Sequence, residues 1–276
     1  MTQVSYKQSD RALEAQTKRT RRELVLLYAA LYAALRDIMA GAYERYAVGG
    51  VLTYSLMSRY NRLAKLEAQI RREVGRLGRG SRSVTEDGLR EMYRDMYFST
   101  GGAIETAAGI AIGYAVLRWL LVEESIASPV TGMGIGQRIF MHRDDLVWKV
   151  RQVVTRGLVR GLDYRAMMLE LRKTVTLDAV RAQRWVNTEA HRILNEARWQ
   201  AGQPAIEKGI ILRKMWVTEG DDRVRDTHQG MQGQIKDADA PFVSPSGAKA
   251  MYPGGFGLLE EDAGCRCEMI WITEGN

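Results

Sequence analysis

Between residues 10 and 47 the chain has no proline and a single glycine, and Leu24, Leu27, Leu31, Ala34, Leu35 and Ile38 recur at three- and four-residue intervals. Apolar side chains at that interval line one face of a helix, so the chain must begin with a long amphipathic helix and bury it against others. Gly49-Gly50 break the pattern. A second helix is expected from Leu52 to Leu77, carrying Leu56, Tyr60, Leu63, Leu66 and Ile70, followed by an exposed Gly/Ser/Arg loop, Gly78 to Ser83, and a helix start at Thr85-Glu86-Asp87. From Gly88 to Val122 the small residues Gly101-Gly102, Gly109 and Gly113 predict a buried helix pair or one kinked helix. Ser128-Pro129 through Gly132, Gly134 and Gly136 reads as a connector. Helices resume at Arg143–Gly161, Tyr164–Lys173 and Leu177–Gly202, with Asp163 and Asp178 placed to accept from free N–H groups at the last two starts.

After Gly202-Gln203-Pro204 the pattern changes. Ile210 to Val217 alternates like a strand, Glu219 to Asp222 is turn-like, a short helix runs to about Met231, and Cys267 to Thr273 is a final strand. Between them Asp237 to Ala263 reads as an ordered irregular loop. The expected fold is therefore a mostly α N-terminal helical domain, residues 1–204, followed by a small α+β C-terminal domain, residues 205–276.

Charge divides along the same line. The formal net charge of +7 resolves into +7 over residues 1–100, +4 over 101–200 and −4 over 201–276. A basic body suits phosphate neutralisation, with Lys18, Arg19, Arg21, Arg22, Arg71, Arg72, Arg76 and Arg79 as candidate DNA contacts. The 46% hydrophobic composition excludes disorder, and the first residues lack the apolar run of a secretory signal. Thr106 to Leu117, read as the longest apolar stretch, is too short to span a bilayer, although a membrane-active segment near Gly109–Leu121 is the sharper alternative. A soluble intracellular protein in a reducing compartment is expected, because Cys265 and Cys267 are spaced poorly for a mutual disulfide.

Common catalytic signatures are missing: no phosphate-binding glycine loop, no G-x-S-x-G, no H-E-x-x-H and no C-x-x-C. Two constellations remain. His228, Cys265 and Cys267 offer donors that suit Zn²⁺, with a fourth ligand from Asp226 or Asp222, although a buried Cys pair beside a hydrogen-bonded His is the plainer alternative. Lys214, Glu219, Arg223 and His228 would surround a phosphodiester in a nuclease, with His228 as general base and Arg223 holding phosphate charge. The net negative charge of residues 201–276 weighs against cleavage and for binding.

The run Lys214-Met215-Trp216-Val217-Thr218-Glu219-Gly220-Asp221-Asp222-Arg223-Val224-Arg225-Asp226-Thr227-His228, then Gly233, Phe242, Tyr252-Pro253-Gly254 and Cys265-Arg266-Cys267, resembles the phage head morphogenesis family, minor head proteins of the Mu F and SPP1 type. Thr188-Glu189 followed by Arg192 and Asn195 resembles the helix that precedes this module in the family. Gly264 stands where the family usually has Asn, and Pro253-Gly254-Gly255-Phe256 departs from its Pro-Gly-Asp-Pro-like segment.

The resemblance implies a non-enzymatic minor capsid protein inside the virion near the portal vertex, present in the host cytoplasm during assembly. Its implied partners are the portal protein, double-stranded DNA and the major capsid or scaffolding protein, with no small-molecule substrate and with membrane contact only on ejection. No cofactor is implied, so zinc rests on the Cys/His set alone. Trp216 is expected to pack the strand on the short helix, Asp222 to cap that helix, and Arg223 or Arg225 to pair with Glu189. The alternative is a nucleic-acid-cleaving or toxin-like enzyme built on the C-terminal module.

Overall fold

The computed structural model describes residues 2–4, 7–114, 117–127 and 133–273. In chain order the elements are strand β1 (Thr2–Gln3), helices α1 (Lys7–Tyr46), α2 (Tyr54–Ser58), α3 (Arg62–Ala108), α4 (Trp119–Ala127), α5 (Ile135–Arg160) and α6 (Tyr164–Glu207), strand β2 (Leu212–Val217), helix α7 (Asp226–Gln229), strands β3 (Ile235–Asp237), β4 (Phe242–Val243) and β5 (Lys249–Ala250), helix α8 (Leu259–Asp262) and strand β6 (Glu268–Thr273). A long helical region followed by a small antiparallel α+β module is the expected class.

Two compact units emerge, and neither is a contiguous stretch: one comprises Met1–Thr20, Glu86–Ile135 and Arg184–Asn276, the other Arg21–Thr85 and Gly136–Gln183. Position 204/205 lies inside the first, where α6 runs on to Glu207 through Pro204.

The second unit is helical. Leu24, Tyr28, Leu31, Leu35 and Met39 of α1, Leu66, Ile70 and Val74 of α3, Leu146, Val150 and Val154 of α5, and Met167, Leu171 and Val175 of α6 are buried at helical spacing. The Gly78–Ser83 loop expected from composition is instead continuous α3. The reason is packing: a Cβ on Gly78 would lie 3.0 Å from Arg143 Cδ, and one on Gly80 3.1 Å from Leu27 Cδ2, so these glycines admit neighbouring side chains rather than turn the chain. Thr85-Glu86-Asp87 therefore sits mid-helix. The expected start at Leu52 is replaced by α2 and a 3₁₀ turn at Arg59–Asn61, where Tyr60 and Asn61 adopt positive φ.

Helices Tyr164–Lys173 and Leu177–Gly202 are one helix, α6. Asp163 does cap it, accepting from Ala166 N at 2.8 Å. Asp178 does not act as a cap. It is buried mid-helix, accepts from Tyr28 Oη at 3.0 Å, and lies 3.6 Å from His142 Nδ1 and 3.8 Å from Lys149 Nζ. Of the connector, Ser128 to Gly132 fall outside the described residues, and Gly136 already belongs to α5. Thr106–Leu117 is matched in length by the uninterrupted apolar run Leu24–Leu35 of α1, and within Leu13–Tyr46 that helix holds an 18-residue window of mean hydropathy 1.5, long and apolar enough to cross a membrane. A core helix has that composition too, because its inward stripe is solid Leu, Tyr and Met.

In the first unit the sheet order is β1-β6-β2-β3, all antiparallel, with β4 and β5 forming a separate ribbon. Leu212 pairs with Thr273 and Val217 with Glu268, so β2 and β6 match along their full length. The core joins Trp216, Phe242, Met269 and Trp271 to Ile104 of α3 and Ala205 of α6. Trp271 donates to Arg198 O at 2.7 Å and occupies the space a side chain on Gly202 would need, since a Cβ there would lie 2.2 Å from its ring. The C-terminal module thus completes a core that the ends of long helices begin.

Candidate metal centre and the motif around it

Cys265 and Cys267 lead into β6, and at extended spacing alternate residues share a face. Both cysteines are buried and reduced, while Arg266 between them turns outward and holds Asp221 through two hydrogen bonds of 2.8 and 2.5 Å. Across from them α7 presents His228, only 1% exposed, with Nδ1 3.6 Å from Cys265 Sγ and 3.4 Å from Cys267 Sγ. Its other nitrogen, Nε2, faces Glu261 Oε2 at 3.0 Å. A carboxylate only accepts, so Nε2 carries a proton, and Nδ1 is the atom that faces both sulfurs. Burial opposes ionisation of Glu261, but hydrogen bonds from Ser246 and Thr227 and the facing imidazole outweigh it and hold the carboxyl below its ordinary range.

The preceding helix locks this corner from behind. Asn195 of α6, fully buried, donates to Cys267 O at 3.1 Å and accepts from Met269 N at 2.9 Å, standing in for a neighbouring strand. His191, one turn earlier, lies 2.5 Å from Cys267 O through Nε2. Thr188 Oγ1 accepts from Gly264 N at 3.1 Å. Arg192 is buried between Glu189 (3.2 Å) and Glu196 (2.7 Å) and donates to Ser125 O at 2.6 Å. Gly254, next to the buried Pro253, packs against Arg192 Cα.

Trp216 behaves as expected: fully buried, it meets the rings of His228 and Phe242 edge-on at 5.3 Å and that of Phe256 at 5.8 Å. Gly233 donates its N–H to Trp216 O at 2.9 Å to close the turn between α7 and β3. Other assignments change. Asp222 is exposed and makes no cap, because the N-cap position of α7 is Arg225 without a side-chain cap bond. Its neighbour Asp221 does the local work, accepting from Arg223 N at 3.2 Å. Arg223 pairs with Asp221 and Arg225 donates to the carbonyls of Glu261 and Ala263, so neither reaches Glu189. Asp222 and Asp226 are also absent from the Cys/His donor group. The nuclease constellation does not assemble: His228 is sealed between Glu261 and the thiols, while Arg223 stays exposed.

Lys214 is fully buried in β2, donating to Met251 O at 2.9 Å with Nζ 5.2 Å from the Phe242 ring centroid. Burial pulls its pKa down to about 8, against a weak upward pull from Asp239. The native state therefore binds fewer protons than the unfolded chain between about 8 and the ordinary 10.5, so stability rises with pH across that window and the charged lysine costs stability below it. Lys214→Met, which keeps the apolar stem, is expected to raise stability at pH 7 by about 1–2 kcal/mol and to flatten the rise above pH 8. Urea titrations at pH 7 and pH 10 measure this, and a loss of stability at pH 7 would contradict it.

Sequence reasoning missed His191, Glu261, Glu196 and Asp221. His191 had a signal, lying between Glu189 and Arg192 on the motif helix. Glu261 had none, because an acidic residue in a Gly-rich loop looks like solvent-facing charge.

Residues 148–270 match the family described as Phage Mu protein F like protein. The chain is 24% identical over 266 residues to the minor head protein GP7 of Bacillus phage SPP1, covering 96% of this chain and 86% of that protein. It is 27% identical over 179 residues to the NAD(+)–arginine ADP-ribosyltransferase EFV of Enterococcus faecalis, covering 65% of this chain and 37% of that protein. An uncharacterized protein of Haemophilus influenzae is 28% identical over 169 residues, 59% of this chain and 34% of its own length. The chain thus spans only about a third of the latter two. No solved structure matches it. The Mu F-like match takes in the Trp216–His228–Cys-x-Cys corner, and the chain is similar to a phage minor head protein along nearly its whole length.

Proposed function

We propose that the protein is a non-enzymatic minor head protein that associates with the portal vertex and packaged DNA, assists head assembly or genome delivery, and resides in the capsid interior after assembly in the host cytoplasm. The observation that carries this reading is the similarity to the SPP1 minor head protein over 96% of the chain, which takes in the helices as well as the C-terminal module. A head morphogenesis role implies contact with other virion components. The transferase named among the relatives contributes no activity to this reading, since the chain spans 37% of it.

The DNA part has physical support of its own. Arg71, Arg72 and Arg79 of α3 are exposed with no ion-pair partner among the described residues, and Arg76 next to them is paired with Glu73 at 2.8 Å. Other candidates are partly spent within the protein: Lys18 pairs with Glu14, Arg19 with Glu91, and Arg21 reaches Gln183 at 3.5 Å, while Arg22 is exposed.

A gel titration against duplex DNA at low and moderate salt, in Mg²⁺ and in EDTA, tests the proposal. Intact, salt-sensitive complexes are expected, and replacing Arg71, Arg72 and Arg79 together by Ala should reduce the salt slope by up to about 3. Shortened DNA in Mg²⁺ would replace this reading with a nuclease. Failure both to shift DNA and to co-purify with the portal protein of the same phage would remove its two named partners.

A further inference from the structure

We propose that His228, Cys265 and Cys267 bind one Zn²⁺ ion that ties α7 to the turn entering β6. Three observations point to an ion rather than to a packed thiol pair. The first is geometric. Zn–S bonds of about 2.3 Å and Zn–N bonds of about 2.0–2.1 Å at tetrahedral angles give an S···N edge of about 3.6 Å. The two Sγ···Nδ1 separations here are 3.6 and 3.4 Å, and all three donor atoms lie within 4.8 Å of one another. Nδ1 has one hydrogen-bonding position, yet it faces two sulfurs at nearly equal distance.

The second is the surrounding shell. A metal-bound imidazole usually gives its remaining N–H to a carboxylate, which fixes ring and tautomer. Glu261 does this through Oε2, and its other oxygen is held by Ser246 at 2.8 Å. Cys265 Sγ also accepts the backbone N–H of Cys267 at 3.4 Å. His191 belongs to this shell rather than to the ligands: it lies outside the group of donor atoms that come together, and its Nε2 holds the Cys267 carbonyl.

The third is space. A cavity of about 20 Å³ is lined by His228, Cys265 and Cys267 together with Arg223, Arg225 and Gly264. It has room for one water molecule, which would supply a fourth ligand to the ion. On binding, the two thiols release their protons to solvent, and two thiolates with a neutral imidazole balance the ion's charge. Soft sulfur with imidazole selects zinc over magnesium or calcium. This inference stands apart from portal or DNA binding and survives the failure of either.

The test is the metal content of the full-length, untagged protein purified without chelator, with Co²⁺ titration of the metal-stripped, reduced protein. One zinc per chain is expected, together with a thiolate-to-cobalt charge-transfer band and tetrahedral visible bands. Cys265→Ser with Cys267→Ser should abolish both. Because that pair can perturb folding, Glu261→Gln is the second variant: it leaves every ligand in place and should weaken zinc affinity about 10–100-fold. His191→Gln should retain the ion. Folded wild-type protein that holds no zinc and shows no cobalt bands overturns the proposal, and so does unchanged zinc affinity in the double serine variant. Loss of the ion in His191→Gln overturns the three-ligand set.

Discussion

Replacing Arg192 by Ala is expected to cost about 3–5 kcal/mol of folding stability. Its side chain is 5% exposed and stands between Glu189, 3% exposed, and Glu196, 13% exposed. Removing the guanidinium leaves two desolvated carboxylates facing each other with no cation between them, and it strands the Ser125 carbonyl that Nη2 satisfies at 2.6 Å. Chemical denaturation of the variant measures the loss. Adding Glu189→Gln and Glu196→Gln to Arg192→Ala should restore a substantial part of it, since the damage comes from unpaired charge rather than from missing bulk. A single-variant loss below about 1 kcal/mol would show that water reaches the site and that the network is not buried in solution.

Trp216→Ala is the second large effect, with an expected loss of about 3–5 kcal/mol. The indole is fully buried and serves three rings at once, those of His228, Phe242 and Phe256. No single neighbour can move in to fill the space, because Phe242 belongs to β4 and His228 is tethered to Glu261. Trp216→Phe keeps an aromatic face and should cost less than half as much. Thiol modification offers an independent readout: the cavity left by Trp216→Ala opens beside Cys265 and Cys267, so both should label faster than in the wild type. Unchanged melting combined with loss from assembled particles would reassign Trp216 from the core to an interface.

The two predictions also separate what was legible from what was not. Trp216 is readable as a core residue because β2 alternates, with Leu212, Lys214 and Trp216 inward. The same alternation carries Lys214 inward, although a lysine on a strand is ordinarily expected in solvent. Arg192 is readable as a motif residue but not as a buried one, since its partners come from its own helix and from Ser125, 67 positions away. Asp178 and Asp222 show the converse failure. Each sits in local sequence that looks like a helix start, yet α6 continues through the first and the second points to solvent. Cap chemistry is a local preference of about 1 kcal/mol, and helix packing overrides it.

By itself the sequence determined the class of structure: long amphipathic helices, then a short alternating module whose ordered motif resembles that of the phage head morphogenesis family. Those features are periodic or contiguous, so they survive being read one residue at a time. Tertiary structure alone decided that the Gly-rich stretch at Gly78–Ser83 is helix, that α6 is one helix through Lys173–Leu177, and that residues near the N-terminus, Glu86–Ile135 and the end of the chain form one compact unit. It also decided that His191, His228, Glu261 and the two cysteines meet. The physical reason is common to all of these: a glycine's role depends on which side chain approaches it, and a histidine's on which groups face its two nitrogens. Both are set by segments distant in sequence.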